Sequence, residues 1–317
     1  MEGWVAARDL RNRGMLGMNA RNLNYIGRYN KRSLYPLVDD KLQTKRLAEE
    51  YEIPVPKLLA AISQQHEVRG ALDVLGDLTG FAMKPAKGSG GKGIWVIGGR
   101  DEDGFIKTSG ARVTHADLRR HMSNTLAGLY SLAGSTDQVI IEDLIRPAPH
   151  FKELSHEGVP DIRVIVFRGY PVMAMLRLAT HASDGKANLH QGAVGVGLNL
   201  EDGSFASAVQ FDRFINLHPD TGRELAAIRI DGWREILELG AQCYEMTELG
   251  YLGTDIVIDE QQGPMLLELN ARPGLAIQLA NRRGLLPRLR AIEALPRRKI
   301  KAPADRVAFS MRTLAAL

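Results

Sequence analysis

The chain has 317 residues, 44% of them hydrophobic and 25% charged, a composition that excludes a disordered or fibrous protein. Lys and Arg (41) exceed Asp and Glu (37), and the net charge of +4 is too small to indicate nucleic-acid binding by itself. The single cysteine, Cys243, excludes an internal disulfide, and every apolar run is far shorter than the roughly 20 residues of a membrane helix. We therefore expect a cytoplasmic protein without membrane insertion.

The first half of the chain combines helix patterns with short strands. Residues 1–36 are rich in Arg, Asn and Gly, which predicts a short helix followed by irregular chain. Asp39 or Asp40 can cap the next helix, and Thr114 with Asp117 forms a capping box. Helices are predicted at 41–51, 65–77 and 114–132, and strands at 81–85, 94–98 and 138–145.

The second half is dominated by two predicted hairpins. The first hairpin covers 161–179 and the second 253–274. Between them, a helix is predicted to begin at a cap at Asp231 and to end at about residue 249. Residues 183–207 are Gly- and Asn-rich with few packing residues, and the basic tail after Pro296 is expected to be peripheral. Helix pairs combined with antiparallel hairpins predict an α+β fold.

The second hairpin carries a candidate metal site. If its turn centres on Gln261 and Gln262, Asp255 faces Glu268, and Asn270 shares that face because strand side chains alternate. Mg²⁺ prefers oxygen ligands and typically takes one or two carboxylates, completing its shell with phosphate and water. The alternative is an exposed strand face that merely carries acids.

The segment "KGSGGKGI" at 87–94 is a candidate phosphate-binding loop. Glycines let backbone amides approach phosphate oxygens, although the segment is not a P-loop and a plain turn fits it equally well. Lys84 ends the strand before it, and Lys41 begins a capped helix; singly, each is also compatible with a solvated lysine. Together with the acidic hairpin they supply what a triphosphate needs.

Two further groups complete the candidate site. The strand end "IEDLI" offers main-chain groups for adenine between Leu144 and Ile145, and Glu142 can accept from the exocyclic amine. Arg163 and Arg177 interrupt apolar strands, where a cation needs a partner. That partner is either an anionic substrate or a structural ion pair. The loop residues Asn188 and His190 and the later Arg272 join this group, His190 being either a base or simply exposed.

The order and spacing of these motifs resemble the ATP-grasp superfamily over about residues 36–290, and RimK-related α-L-glutamate ligase-like proteins resemble the chain most. The motifs that carry the resemblance are "FAMKPAKGSGGKGI", "VIIEDLI", "DIRVIVF", "NLHQGA" and "GTDIVIDEQQGPMLLELNARPGL". The resemblance implies two lobes whose antiparallel sheets grip ATP. The implied parts are an extension at 1–36, a catalytic domain at 37–295 with its small lobe at about 78–142, and a tail at 296–317. Since forty residues stand before Lys41 in the sequence, we expect no full-size domain ahead of it.

The resemblance also implies a role for each candidate residue. ATP would be held by Lys41, Lys84, Lys87, Gly88, Ser89, Gly90, Gly91, Glu142, Leu144 and Ile145. One or two Mg²⁺ ions, with Mn²⁺ as the alternative, would be bound by Asp255, Glu268 and Asn270. Arg177, Asn188 and Arg272 would act at the γ-phosphate, and Arg163 and His190 would contact substrate.

The implied activity is the ATP-dependent joining of a carboxylate to an amine through an acyl phosphate. Glutamate addition to a peptide, protein or small molecule follows from the resemblance alone. An ATP-grasp phosphotransferase and a non-catalytic ATP-binding module remain as alternatives, because the nucleotide site does not identify the acceptor. A nucleic-acid partner is disfavoured by the aromatic content of 6%. Donor, acceptor, product length and oligomeric state stay open.

Overall fold

In a computed structural model, the described residues are 7–76, 78–88, 90–102, 104–131, 134–152, 154–155, 158–296 and 301–317. They form two antiparallel sheets with helices packed on them, which confirms the predicted α+β class. Within the described part of the chain, no helix is long and apolar enough to cross a membrane. The predicted domain boundaries stay predictions.

The first sheet has six strands. Its strands are β1 (Leu58–Ile62), β2 (Phe81–Pro85), β3 (Trp95–Asp101), β4 (Gly104–Lys107), β5 (Arg112–Val113) and β6 (Val139–Asp143). They are arranged in the order β1-β6-β2-β3-β4-β5. A separate apolar core lies beneath this sheet, where Phe81 and Met83 pack with Leu118 and Met122.

The second sheet has seven strands. These are β7 (Asp161–Phe167), β8 (Tyr170–Leu178), β9 (Val194–Leu198), β10 (Phe205–Gln210), β11 (Arg213–Phe214), β12 (Tyr251–Asp259) and β13 (Gly263–Asn270). Their order is β11-β10-β9-β8-β7-β12-β13. The long central strands are apolar on both faces apart from a few charged positions, because both faces are covered.

Twelve α-helical segments surround the sheets in the described residues. They are α1 (Ala7–Asn12), α2 (Met18–Ala20), α3 (Gly27–Tyr29), α4 (Pro36–Asp39), α5 (Lys41–Glu50), α6 (Val68–Leu75), α7 (His115–Leu126), α8 (Pro149–Lys152), α9 (Trp233–Thr247), α10 (Ile277–Asn281), α11 (Leu286–Glu293) and α12 (Pro303–Phe309). Short 3₁₀ or π turns span Arg21–Ile26, Arg32–Leu34, Gln65–Glu67, His181–Ser183, Leu189–Gln191, Leu225–Ala227 and Ser310–Leu314.

Helix α9 determines which face of the large sheet can carry polar groups. Gly240 in α9 lies so close to β12 that an added Cβ would be 3.2 Å from Thr254 Oγ1. Since strand side chains alternate, Thr254 points to α9, whereas Asp255 points to the opposite face. Arg163 pairs in register with Asp255 and therefore shares that face, which is where the candidate site lies.

Several local predictions are confirmed. Asp40, rather than Asp39, caps α5 by accepting hydrogen bonds from the amides of Leu42 and Gln43. Thr114 and Asp117 form the predicted capping box of α7, although the helix ends at Leu126 instead of 132. The predicted β-hairpins are present as β7–β8 and β12–β13.

The N-terminal segment and the cap of α9 differ from what the sequence predicts. Residues 18–29 are helical instead of irregular, because Tyr25 and Ile26 are buried and Tyr25 packs its ring on Phe167 and Tyr251. Tertiary packing here overrides the weak helix propensity of the local sequence. Asp231 does not cap α9: the N-cap is Gly232, which has a φ of +65° and no side-chain cap.

Two other segments contribute more to the core than predicted. The Gly- and Asn-rich stretch contains β9, all five residues of which are buried. The C-terminal tail is not peripheral, because α12 packs on α9 and Val307 and Leu314 belong to the main core. Arg306 is 1% exposed and donates to Gly169 O and Glu245, so a basic residue is buried by pairing.

Candidate functional site

A narrow crevice between the two sheets brings together α5, β2 and β13. Its walls include Lys41 and Lys45 from α5, Lys84 from β2 and Glu268 from β13. Its volume of about 10 Å³ has room for about one water molecule, so a larger ligand requires the two walls to move apart. A larger cleft of about 440 Å³ on the small sheet is lined by a single lysine and a single aspartate, Lys87 and Asp137, among Ser, Thr, Gln, Leu and Ala side chains. The charged groups therefore identify the crevice as the candidate site.

A buried ion triad forms one wall of the crevice. Glu142 is 2% exposed, and its two oxygens lie 2.5 Å from Lys84 Nζ and 3.0 Å from Lys45 Nζ. Burial acts to raise the pKa of Glu142, but the attraction of Lys84 and Lys45 outweighs it and lowers that pKa. Burial lowers the pKa of Lys45, against the attraction of Glu142. The carboxylate thus holds two ammonium groups in place.

Lys41 connects the glycine-rich loop to the large sheet. Its Nζ donates to Gly88 O at 2.7 Å and lies 3.0 Å from Glu268 Oε1. Because Asp40 caps the helix, the start of α5 has a defined direction, and Lys41 points from it into the crevice. A lysine in this position can exchange its carbonyl and carboxylate partners for phosphate oxygens.

The glycine-rich loop is anchored at both ends. At its start the amide of Lys87 donates to both oxygens of Asp137, at 3.0 and 3.2 Å. At its end Gly93 O accepts from His121 Nε2 at 2.9 Å. Gly93 has a φ of +75°, and an added Cβ would lie 2.5 Å from Tyr130 Cγ, so only glycine fits there.

On the inner face of the large sheet, Asp255 is held by two arginines. Arg163 binds it bidentately, with Nε–Oδ1 at 2.7 Å and Nη2–Oδ2 at 2.5 Å, and Arg177 Nη2 donates to Oδ2 at 2.7 Å. Arg177 also binds Asp161 bidentately at 2.5 and 2.6 Å. Of the two alternatives for these arginines, the structural ion pair is therefore present.

The charges of this arginine–aspartate cluster shift the pKa values of its two aspartates. Burial raises the pKa of Asp161 to about 6 against the attraction of Arg177, and repulsion by Asp255 adds to the rise. For Asp255, burial acts in the same direction, but Arg163 and Arg177 outweigh it and lower the pKa. Asp255 therefore stays ionised at neutral pH and is the counter-charge that the two guanidinium groups share.

The predicted metal ligands lie together. Asp255 and Glu268 face each other in the register, and Asn270 Nδ2 donates to Asp255 Oδ2 at 3.3 Å. Asp255 has most of its lone pairs taken by arginines, whereas Glu268 is half-buried and Asn270 keeps its oxygen as an acceptor. Among the described residues, no three His, Cys, Asp or Glu side chains form a metal cluster. One carboxylate and one amide oxygen, completed by phosphate and water, still fit Mg²⁺.

The turn of this hairpin differs from the prediction. Asp259 pairs with Gly263, so the turn has three residues instead of two. A bulge between Asp255 and Ile256 then shifts the register by one residue and restores the predicted Asp255–Glu268 pair.

Other predicted residues are not joined to this cluster by a contact. Arg272 is exposed and stacks its guanidinium on Tyr35, 4.8 Å from the ring centroid. Asn188 caps the turn Leu189–Gln191 by accepting from the amide of His190 at 3.0 Å, and His190 is exposed. The roles predicted for these three residues stay predictions.

The remaining nucleotide-binding predictions fall on the loop and on the connection between the sheets. Leu144 and Ile145 are half-buried where the chain leaves β6. From there the chain reaches the large sheet at Arg146, whose amide donates to Asp259 Oδ2 at 2.8 Å. Lys87 and Gly90 are exposed, and Gly91 lies near Lys186. Ser89 lies outside the described residues.

Sequence reasoning missed two charged residues of the site. Lys45 lies four residues after Lys41 on the same face of α5, and that spacing could have revealed it. Asp161 faces Arg177 across the β7–β8 hairpin, and the register reasoning used for β12–β13 would have found it.

Two antiparallel sheets that enclose a lysine- and acid-lined crevice define an ATP-grasp fold, which confirms the predicted fold. The chain belongs to the family of sugar-transfer associated ATP-grasp proteins, whose sequence profile matches residues 20–294. The finer resemblance to RimK-related glutamate ligases stays a prediction. No curated protein matches the sequence.

Several solved structures are similar to the chain at low identity. The ATP-grasp ligase PsnB, complexed with minimal precursor, is 16% identical with a TM-score of 0.46; the match covers 84% of this chain and 63% of that one. D-cycloserine synthetase DcsG is 16% identical over 91% and 79% of the two chains, with a TM-score of 0.48. D-alanyl-alanine synthetase A from Vibrio cholerae is 11% identical over 89% and 66%, also with a TM-score of 0.48.

Proposed function

We propose that the protein is an ATP- and Mg²⁺-dependent ligase that joins a carboxylate to an amine through an acyl phosphate. The observation that supports this proposal is the meeting of Lys41, Lys84 and Glu268 in one crevice between the two sheets. Cations for a triphosphate and an oxygen ligand for its metal thus come from opposite walls, as gripping a nucleotide requires.

The chain's own residues would bind and orient the nucleotide. The crevice holds three lysines against two carboxylates, Glu142 and Glu268, so it keeps a net positive charge for an anion. Lys84 is held by Glu142, which reduces the entropy lost when the lysine binds phosphate. Glu268 and Asn270 would hold Mg²⁺, which would supply positive charge to neutralise the phosphates.

The proposed reaction has two steps. A carboxylate oxygen attacks the γ-phosphorus of ATP, and ADP leaves. The amine nitrogen then attacks the acyl carbon, phosphate leaves with the bonding electrons, and the nitrogen loses a proton to give the amide. Carboxylates are poor electrophiles at neutral pH, and phosphorylation provides the leaving group; the protein contributes mainly positioning and charge neutralisation.

The choice of substrates rests on the resemblance and on the family description. Glutamate is the first carboxylate to test because the motifs resemble those of glutamate ligases. The sugar-transfer association of the matched family adds amino sugars to the amino acids and peptides on the acceptor side.

Mass spectrometry of products tests the proposal. The protein is incubated with ATP, Mg²⁺, a panel of carboxylates and a panel of amines, and ADP release is followed in parallel. We expect a new amide and stoichiometric ADP that require both substrates and disappear in Glu268→Gln. A phosphorylated acceptor would instead identify a phosphotransferase, and nucleotide binding without any product would identify a binding module; either outcome contradicts the ligase proposal.

A further inference from the structure

A second pocket, with both apolar and polar walls, opens on the large sheet beside the loop that carries Asn188 and His190. Its volume is about 130 Å³, close to the roughly 150 Å³ of an apolar cavity that holds a benzene ring. Its apolar walls come from the loop before β9, from strand β10 and the turn after it, and from α10 with the residue before it. These walls are Leu189, Ala193, Val209, Phe211, Ala276 and Leu279.

The strand register puts this pocket on the same face of the sheet as the arginine–aspartate cluster. Asp161 pairs with Arg177, Arg177 with Gly195, and Gly195 with Val209. Directly paired residues share a face, so Val209, in the pocket wall, faces the same side as Arg177. Strands lie about 4.8 Å apart, which makes the separation of Val209 and Arg177 about 10 Å.

A glycine in this row makes room for the pocket. A Cβ on Gly195 would lie 2.7 Å from Leu189 Cδ2, so a larger residue would displace the wall. The pocket and the cluster therefore lie on the same face of the sheet, separated by Gly195 and by the Leu189 side chain that covers it.

The mouth of the pocket is formed by a turn that is unfavourable for its own residues. Phe211 and Asp212 link β10 to β11 with φ angles of +48° and +60°. Two-residue hairpin turns of this kind favour Asn-Gly, since a Cβ is crowded in the left-handed region. The turn nevertheless presents the Phe211 ring, which is 59% exposed, at the pocket and over Gly192. Strained residues kept at a cavity mouth indicate a role in binding rather than in folding.

The polar groups at the rim select the charge of the ligand. Asp212 contributes a carboxylate, and His190 an imidazole. Gln210 is already engaged, because its Nε2 donates to Gly192 O at 2.8 Å. A carboxylate at the rim attracts an ammonium group and repels a second carboxylate, so the pocket suits the amine substrate rather than the acyl donor.

We propose that this pocket is the acceptor subsite, and that it binds the apolar side chain of a primary amine of about the size of leucine. The role of the pocket as an acceptor subsite rests on the proposed ligase function, but the binding of an amine in the pocket requires no turnover. Phe211 is then a specificity-determining residue: it covers the apolar side chain, while the ammonium end lies at the rim beside Asp212.

Calorimetric titration of small amines tests the subsite without ATP. The probes are L-leucinamide, glycinamide, glucosamine and N-acetylleucine. We expect leucinamide to bind the wild type about tenfold or more tightly than glycinamide, because its side chain is buried. Equal affinities for these two amines, tighter binding of the polar glucosamine, or tighter binding of the carboxylate N-acetylleucine would each overturn the proposal.

Variants of Phe211 separate binding from folding. Phe211→Gly and Phe211→Asn remove the ring, and both new residues suit the turn, so the urea midpoint should stay level or rise. The preference for leucinamide over glycinamide should fall about tenfold in both. The matched control is Phe214→Ala, which removes another exposed ring from the same hairpin and should retain the preference. An unchanged preference in both Phe211 variants, or an equal loss in the control, would contradict the assignment.

Amide formation then distinguishes the two proposals. A leucinamide preference without amide product would leave the subsite standing and remove the ligase function. Amide product without any preference among amines would leave the ligase function standing and remove the subsite.

Discussion

The carboxylate of Glu142 is buried between two lysines. It lies between Lys45 and Lys84 at 3.0 and 2.5 Å, and all three are nearly inaccessible to water. A buried ion pair adds little net stability compared with apolar residues, but removing one partner leaves the others unpaired in a medium of low polarity. Glu142 therefore holds the two lysines in position, and its own burial as a charged group depends on them.

Replacing Glu142 by Gln should destabilise the protein strongly. Two buried ammonium groups lose their counter-charge, and breaking such a pair typically costs about 3–5 kcal/mol. Urea unfolding measures the change, and Asp143→Asn, on the neighbouring and more exposed carboxylate, serves as the control. Equal free energies of unfolding for the two variants would contradict the triad.

The stability difference between wild type and Glu142→Gln should also depend on pH. The folded protein lowers the pKa of Glu142 below its ordinary value of 4.5, so the stabilisation is complete above that value. It is lost as pH falls from about 4.5 through the lowered folded pKa, because the unfolded chain takes up the proton first. Urea midpoints from pH 7 to pH 3 check this, and a difference that stays constant over that range would argue against it.

The elements around the site show why some of it follows from sequence and some does not. The pairing of Asp255 with Glu268 is predictable because strand register follows from counting residues across a short turn. The bulge and the three-residue turn were not predicted, and only their mutual compensation kept the register correct. The partners of Glu142 are 97 and 58 residues away along the chain, and no local pattern encodes such contacts.

The start of α5 sets the position of Lys41. Asp40→Ala removes the oxygen that accepts from Leu42 N and Gln43 N, which should lower the free energy of unfolding by about 1 kcal/mol. The ATP concentration needed for half-maximal ADP release should rise as well, because the first turn frays. Asp39→Ala is the matched control, since Asp39 is exposed and does not cap. If both variants behave alike in urea unfolding and ADP release, the cap does not position the lysine.

The glycine-rich loop should be sensitive to one glycine more than to another. Gly93→Ala introduces both an unfavourable φ of +75° and a Cβ only 2.5 Å from Tyr130, whereas Gly90→Ala, at a φ of +64°, meets nothing within 4 Å. Both changes carry the backbone penalty of about 1–2 kcal/mol, but only the first must also displace Tyr130. Thermal unfolding should therefore show a larger loss for Gly93→Ala. A smaller loss there than for Gly90→Ala would contradict the anchored loop.

Taken together, the two sheets form a site from residues that are distant in the chain. Lys41 and Glu268 are 227 positions apart and meet at 3.0 Å across the crevice. Motif order predicted that such a site exists and which fold builds it. It could not predict that Asp255 is neutralised by two arginines, that α12 packs into the core, or that a pocket opens beside Phe211, since each depends on packing between distant segments.

Calorimetric titration with Mg²⁺ and a non-hydrolysable ATP analogue measures whether a nucleotide binds in the crevice between the sheets. Wild type is compared with Lys84→Ala and with Lys31→Ala, which removes an exposed lysine outside the site. A charge-assisted contact contributes about 1.5–3 kcal/mol, so Lys84→Ala should bind about tenfold or more weakly, and Lys31→Ala should bind like wild type. Wild-type affinity in Lys84→Ala, with the fold intact by circular dichroism, would show that the nucleotide does not bind at Lys84.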